Sequence, residues 1–338
     1  MANKSSNASA TEFGFDFQHN AGIVLMLKFI KSVESVRCEG NFEDVELTLV
    51  SKKKIYAQAK ALVNPDMHKS IVSKMGDALE SLNRADKNGD AEELVFVTNC
   101  PNPFNDMASI QSFAIGVPLI AYDELPSTAK EKLESMYVRR GVSFDKRKFK
   151  VLTFYFRDGD NKYNIVKDAV NEFLAGLDIP QCVGKGREIL ENWQLAMQQN
   201  ASDTDLSAKI TKKKMLWALI VLLCAWCDDS EWIDESDACE IEDVKRAYCG
   251  LIDDAAEGFE FVTKVLSGYA CFRDQHADLS PRASRSGFIC EKWQAYSSEF
   301  KVDDNLPRVK EIVTKLAIDK IISNREKIKK VREATNLK

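Results

Sequence analysis

Between Val45 and Lys60 the chain alternates with a period of two, the pattern that most limits what it can fold into. Val45, Leu47 and Leu49 interleave with Glu46, Thr48 and Val50. After a polar Ser51-Lys52-Lys53-Lys54 turn, Ile55, Ala57 and Ala59 interleave with Tyr56, Gln58 and Lys60. Successive side chains on a strand point to opposite faces, so this stretch is predicted to be a β-hairpin. Before it, Phe13, Phe17, Ile23, Leu25, Leu27 and Ile30 recur at helical spacing and predict a first helix over Phe13–Val33. After it, helices are expected over Asp66–Asn83, Ser127–Val138 and Tyr163–Leu177, and strands over Glu93–Thr98, Pro118–Tyr122 and Lys150–Phe156. Beyond residue 185 every strong segment reads helical, with Gly184-Lys185-Gly186 as the hinge. The expected organisation is an α/β or α+β domain over 1–180 and an all-helical domain over 185–338.

Composition narrows the chemistry. With 45% hydrophobic and 29% charged residues the chain is globular rather than disordered. Three histidines in 338 residues argue against a His-based triad or a multi-His metal centre. The first residues lack the basic and apolar regions of a signal peptide. The longest apolar run, Leu216–Trp226, falls short of the ~20 residues a bilayer span needs. Nine cysteines without regular spacing are expected to be reduced thiols, and the chain is expected to be cytoplasmic, with no membrane partner. Cys224-x-x-Cys227 sits in the apolar run and reads as buried thiols rather than a zinc site. No phosphate-binding G-x-x-x-x-G-K-[ST] loop occurs, so the chain is not expected to hydrolyse ATP. Residues 228–260 hold thirteen acids against Lys245 and Arg246, whereas the tail from Lys301 holds eleven bases and six acids. Such runs are either solvated helix faces or surfaces for self-association and partner docking.

The hairpin and its flanks carry the chemistry. Gln58 and Lys60 share one strand face, and Asp44 enters the preceding strand on the face of Glu46 and Thr48. If the strands pair through the 51–54 turn, a carboxylate lies beside an amide and an ammonium. A hard cation such as Mg²⁺ takes oxygen ligands, which Asp44 and the Gln58 carbonyl would supply. Lys60 would orient an attacking water and offset charge building on a phosphoryl group. The set therefore suits metal-assisted phosphodiester hydrolysis; the other reading is a solvent-facing hairpin with ordinary polar residues. Phosphate contacts would come from Lys52, Lys53 and Lys54 in the turn and from Arg139 and Arg140.

Five segments together give a resemblance. They are Gly14-Phe15-Asp16-Phe17-Gln18, Glu39-Gly40, Glu43-Asp44-Val45, Tyr56-Ala57-Gln58-Ala59-Lys60 and Glu93-Leu94-Val95-Phe96-Val97-Thr98-Asn99. Through them residues 12–178 resemble the PD-(D/E)xK, or restriction-endonuclease-like, superfamily. Within it the chain is similar to effector nucleases of bacterial antiphage defence: the domain of CBASS effectors, of the Lamassu nuclease subunit and of HerA-associated nucleases. The resemblance implies a restriction-endonuclease-like mixed sheet flanked by helices, and a DNA endonuclease using Mg²⁺ or Mn²⁺. Asp44 matches the metal-binding acid and Lys60 the catalytic lysine. Gln58 stands where most members carry Asp or Glu, which removes a negative charge and leaves Glu39 or Glu43 to compensate. Gln18 matches an accessory position on the first helix. The resemblance also implies restraint by a partner, an SMC-like ATPase as in Lamassu or a HerA-type ATPase, or by homo-oligomerisation. A catalytically inactive nucleic-acid-binding or scaffold subunit of the same fold is the alternative.

Overall fold

A computed structural model describes residues 8–66, 68–226, 231–233, 238–253, 258–299 and 305–337. Cys227, much of the acidic stretch 228–260 and the start of the basic tail lie outside the described residues. The chain divides into two compact units, one of residues 1–176 with 183–212, the other of 177–182 with 213–338.

The first unit is built on a mixed seven-stranded sheet. Its strands are β1 (Val33–Cys38), β2 (Val45–Leu49), β3 (Lys54–Lys60), β4 (Ala91–Thr98), β5 (Leu119–Ala121), β6 (Phe149–Thr153) and β7 (Ile210–Thr211), in the order β5-β6-β4-β3-β2-β1-β7. β1, β2 and β3 form an antiparallel meander. The helix α2 (His68–Asp86) then crosses over so that β4 runs parallel to β3, and β6 parallel to β4. Further helices are α1 (Ala8–Lys28), α3 (Met107–Phe113), α4 (Ser127–Arg140), α5 (Asn164–Gly176) and α6 (Gly186–Ser202).

The two faces of the sheet are sorted by the pleat. Tyr56, Leu94, Phe96, Phe149 and Val151 pack with Ile71, Met75 and Leu79 of α2 and with Leu133 and Met136 of α4. On the other face Phe17 of α1 stacks on Phe154 at 4.8 Å between ring centroids. The architecture is thus a mixed sheet flanked by helices with a helical C-terminal region, the expected fold class.

Two sequence expectations are corrected. The first helix ends at Lys28, and the segment read as its continuation leads into β1. All but one of that strand's residues are buried, so it lacks the alternation that reveals a half-exposed strand. The helical half does not begin at 185, because α6 and β7 belong to the first unit. Trp193 and Met197 of α6 are buried, and Asn200 accepts the Cys38 backbone N–H at 2.9 Å.

The apolar Leu216–Trp226 run lies largely in α7 (Lys212–Leu223), where Leu216, Leu219 and Ile220 are buried. The remaining helices are α8 (Ala238–Asp253), α9 (Gly258–Gln275), α10 (Pro281–Tyr296), α11 (Pro307–Ser323) and α12 (Arg325–Thr335). α11 packs against α8, α9 and α10, with Val313, Leu316, Ile318 and Ile322 buried. Cys224 is buried, which pushes its thiol up to about 12 and keeps it in the unreactive neutral form. Among the described residues no helix is long and apolar enough to cross a membrane.

Candidate active site

The β2–β3 register pairs Val45 with Ala57 and Glu46 with Tyr56, which sets Asp44 opposite Gln58 at the open end of the hairpin. One carboxylate oxygen, Oδ2 of Asp44, is the focus. It accepts the Ala59 backbone N–H at 2.9 Å and the Gln58 side-chain amide, and stands 3.5 Å from Lys60 Nζ. Gln58 is buried, while Lys60 keeps about a third of its side chain exposed at 32%. The three residues therefore meet at one edge of the α2-covered face.

The β1–β2 connection delivers two further carboxylates. Glu39 N–H donates to the Asp44 carbonyl at 2.8 Å and Gly40 N–H to the Glu43 carbonyl at 3.0 Å, closing a tight loop. Glu39 takes φ +51°, in the left-handed region that costs a side chain about 1 kcal/mol or more. Gly40 lies against Glu46: a Cβ there would come within 2.5 Å of its carboxylate carbon. Glu46 in turn accepts the Phe42 N–H at 2.8 Å.

Glu43 is 4% exposed and neither of its oxygens has a donor in good hydrogen-bond geometry. Burial pushes its carboxyl up to about 8; Asp44 adds to the shift, while Ser81, Lys60 and Arg84 oppose it. Glu39 is raised first by burial and then by Asp44, against Lys60 and Arg37, and its Oε1 also lacks a partner. Once ionised, buried carboxylate oxygens this poor in donors are what a bound cation would satisfy, so these carboxylates fit one in part. The fit is incomplete: among the described residues no three His, Cys, Asp or Glu side chains are grouped closely enough to hold a metal ion. Gln58 also turns its amide N–H, not its carbonyl, toward Asp44. Its two amide ends differ only by a half-turn, which exchanges donor for acceptor.

The other sequence-predicted residues are scattered. Gln18 is half-buried on α1 with Oε1 unpartnered, and no hydrogen bond joins it to Asp44, Gln58 or Lys60. The 51–54 turn lies at the far end of the strands from Asp44, about 16 Å away at ~3.3 Å per residue. Lys52 there pairs with Glu34 at 2.7 Å, Lys53 reaches the Gly89 carbonyl, and Lys54 sits between Glu46 and Asp90 at 3.6 Å from each. They do not line the carboxylate site. Arg139 caps the Ser135 carbonyl, and Arg140 pairs with Asp77 at 3.1 Å and Glu80 at 2.8 Å.

Two residues to which sequence reasoning assigned no role belong here. Lys74 of α2 donates to the Ala61 carbonyl at 3.2 Å; burial lowers its ammonium, and the neighbouring Lys60 lowers it further. Asn99, fully buried after β4, accepts the Leu62 N–H at 2.9 Å and donates to the Leu62 and Phe156 carbonyls. It thereby fixes the chain just beyond Lys60. An asparagine ending an apolar ELVFVT run was the available signal for Asn99; Lys74 had none.

No protein-family model matches the chain, and no curated protein matches it. Among solved structures it is similar to the Moraxella osloensis Cap4 SAVED/CARF-domain containing receptor, at 14% identity and a TM-score of 0.37. The likeness covers 62% of this chain and 47% of that one, so the chain spans under half the receptor's length. At this level it carries no inference about ligand or activity.

Proposed function

We propose that the first unit is a metal-dependent phosphodiesterase acting on DNA, the effector nuclease of an antiphage defence complex held by an ATPase partner. The observation that supports it most directly is the convergence of Gln58 and Lys60 on Asp44 across the β2–β3 pair. Buried Glu43 and half-buried Glu39 lie within electrostatic reach of the same carboxylate. In this reading Asp44, Gln58 and one of the two glutamates hold Mg²⁺, which supplies Lewis acidity at a phosphoryl oxygen. Lys60, still partly exposed, orients the attacking water and offsets transition-state charge. Lys is suited to this because its compact ammonium is a tunable point charge.

Supercoiled plasmid incubated at low salt with the protein and Mg²⁺, Mn²⁺ or EDTA tests the reading. Metal-dependent nicking that falls by about a hundredfold or more in Lys60→Ala is expected, the usual loss when one transition-state charge stabiliser is removed. The same assay on the complex purified with its native partners covers a restrained enzyme. Full cleavage by Lys60→Ala would sink the assignment.

A second reading has its own support. Asp44 Oδ2 is already served by an amide, a backbone N–H and an ammonium, as in a structural polar cluster. A non-catalytic scaffold of this kind predicts DNA binding indifferent both to Mg²⁺ and to Asp44→Ala.

A further inference from the structure

The second unit carries a cavity that the nuclease reading does not use. It measures about 470 Å³ and is lined by Leu266 of α9, by Arg325, Lys329, Arg332 and Glu333 of α12, and by Asn336 and Leu337 just beyond. Its size falls in the usual range for small-molecule sites, roughly 300–1,000 Å³. The spacing explains the lining. Positions 325, 329, 332 and 336 follow one another at helical intervals and share one face of α12. The adjoining face is spent on the core, where Ile328 and Val331 are buried.

Three cations therefore face one carboxylate across this cavity. The internal pairs are loose: Lys329 stands 3.8 Å from Glu333 and Arg325 3.6 Å from Glu326, with the acids largely exposed. Exposed pairs of this kind are worth about 1 kcal/mol or less, so they leave the positive charge available. Arg325 gives one N–H to the Ile322 carbonyl at 3.1 Å, and Arg332 gives one to the Leu337 carbonyl at 3.4 Å. Each guanidinium has five donors, so these tethers orient the fork and leave most of it for a ligand. Leu266 and the buried Leu337 add an apolar wall. Two oriented guanidinium forks and an ammonium beside an apolar wall suit a phosphate attached to a ring-sized body.

We propose that this cavity binds a nucleoside phosphate, through Arg325, Lys329 and Arg332, with Leu266 and Leu337 against the base. A free nucleotide and the end of a nucleic-acid strand both present that phosphate, and the recognising chemistry is the same. The site stands independently of whether the first unit cleaves DNA.

Calorimetric titration of the full chain at low salt tests it, using ADP, adenosine and a short 5′-phosphorylated single-stranded DNA. ADP is expected to bind and adenosine not. Arg332→Gln should weaken ADP about tenfold, the loss of one charge-assisted hydrogen bond. Glu333→Gln should tighten it a few-fold, because the carboxylate competing for the same cations is gone. Opposite signs at adjacent positions separate ligand contact from a general loss of structure. DNA binding well above ADP, with the same response to both variants, would identify a strand end as the source; ADP as good or better would identify a free nucleotide. Absence of ADP and DNA binding, or binding that neither variant changes, overturns the proposal.

Discussion

Glu43 shows what a single buried carboxyl does to the whole chain. Its proton is held to about pH 8 in the folded protein, against 4.5 for an ordinary glutamate. Between those values the native state binds more protons than the unfolded state, so this group's contribution to stability falls as pH rises through that window. Glu43→Gln removes the ionisation. Urea unfolding from pH 5.5 to 8.5 should show the wild type losing stability relative to the variant, by roughly 3 kcal/mol at the upper end. A cation bound beside Glu43 favours the ionised form and opposes that loss. Mg²⁺ is therefore expected to raise the melting temperature at pH 8 in the wild type and much less in Glu43→Gln. A flat response in both would count against a cation at these carboxylates, whatever the cleavage assay shows.

At the scale of elements, the β1–β2 loop is what places the carboxylates, and its closeness to Glu46 is its most sensitive point. Gly40→Ala would drive a methyl into the Glu46 side chain, which Phe42 N–H and Lys54 hold in place. A cost of about 1–3 kcal/mol is expected from this overpacking, measurable by thermal unfolding, with cleavage reduced beyond what lost stability explains. Asn99 does the corresponding work at the other strand. With both Leu62 backbone groups and the Phe156 carbonyl left unsatisfied and buried, Asn99→Ala should destabilise by roughly 2–4 kcal/mol. The placement of Lys60 then depends on two loops that are far apart in sequence.

Across the whole molecule, the first unit is discontinuous. The chain leaves it after residue 176 and returns at 183 to add α6 and β7. Arg37 of β1, 2% exposed, donates to the Asp203 and Ala208 carbonyls at 2.8 and 3.0 Å and so ties the returning segment to the sheet. A chain ending at residue 180 would expose the surface that Ile189, Leu190, Trp193 and Met197 cover. Burying each such side chain contributes about 1.5–3 kcal/mol. That chain should therefore melt at least ~10 °C below one ending at residue 212, at ~2–4 °C per kcal/mol for this size. Equal melting temperatures would show that α6 and β7 are dispensable.

The β-hairpin, the helix and strand that follow it and the pairing of Asp44 with Gln58 were legible from the sequence, because a period of two allows only one set of faces. So were the helices of the C-terminal region, whose apolar spacing needs no distant partner to be read. Tertiary structure decided the rest. β1 is buried on nearly every side chain and so shows no alternation. α6 looks like any amphipathic helix until the core it covers is known. The basic turn 51–54 is close to Asp44 in sequence but at the opposite end of the strands. The burial that raises Glu43 and lowers Lys74 comes from a chain that folds back over them, and no local pattern records it. Local periodicity determines which residues share a face; only packing determines what that face meets.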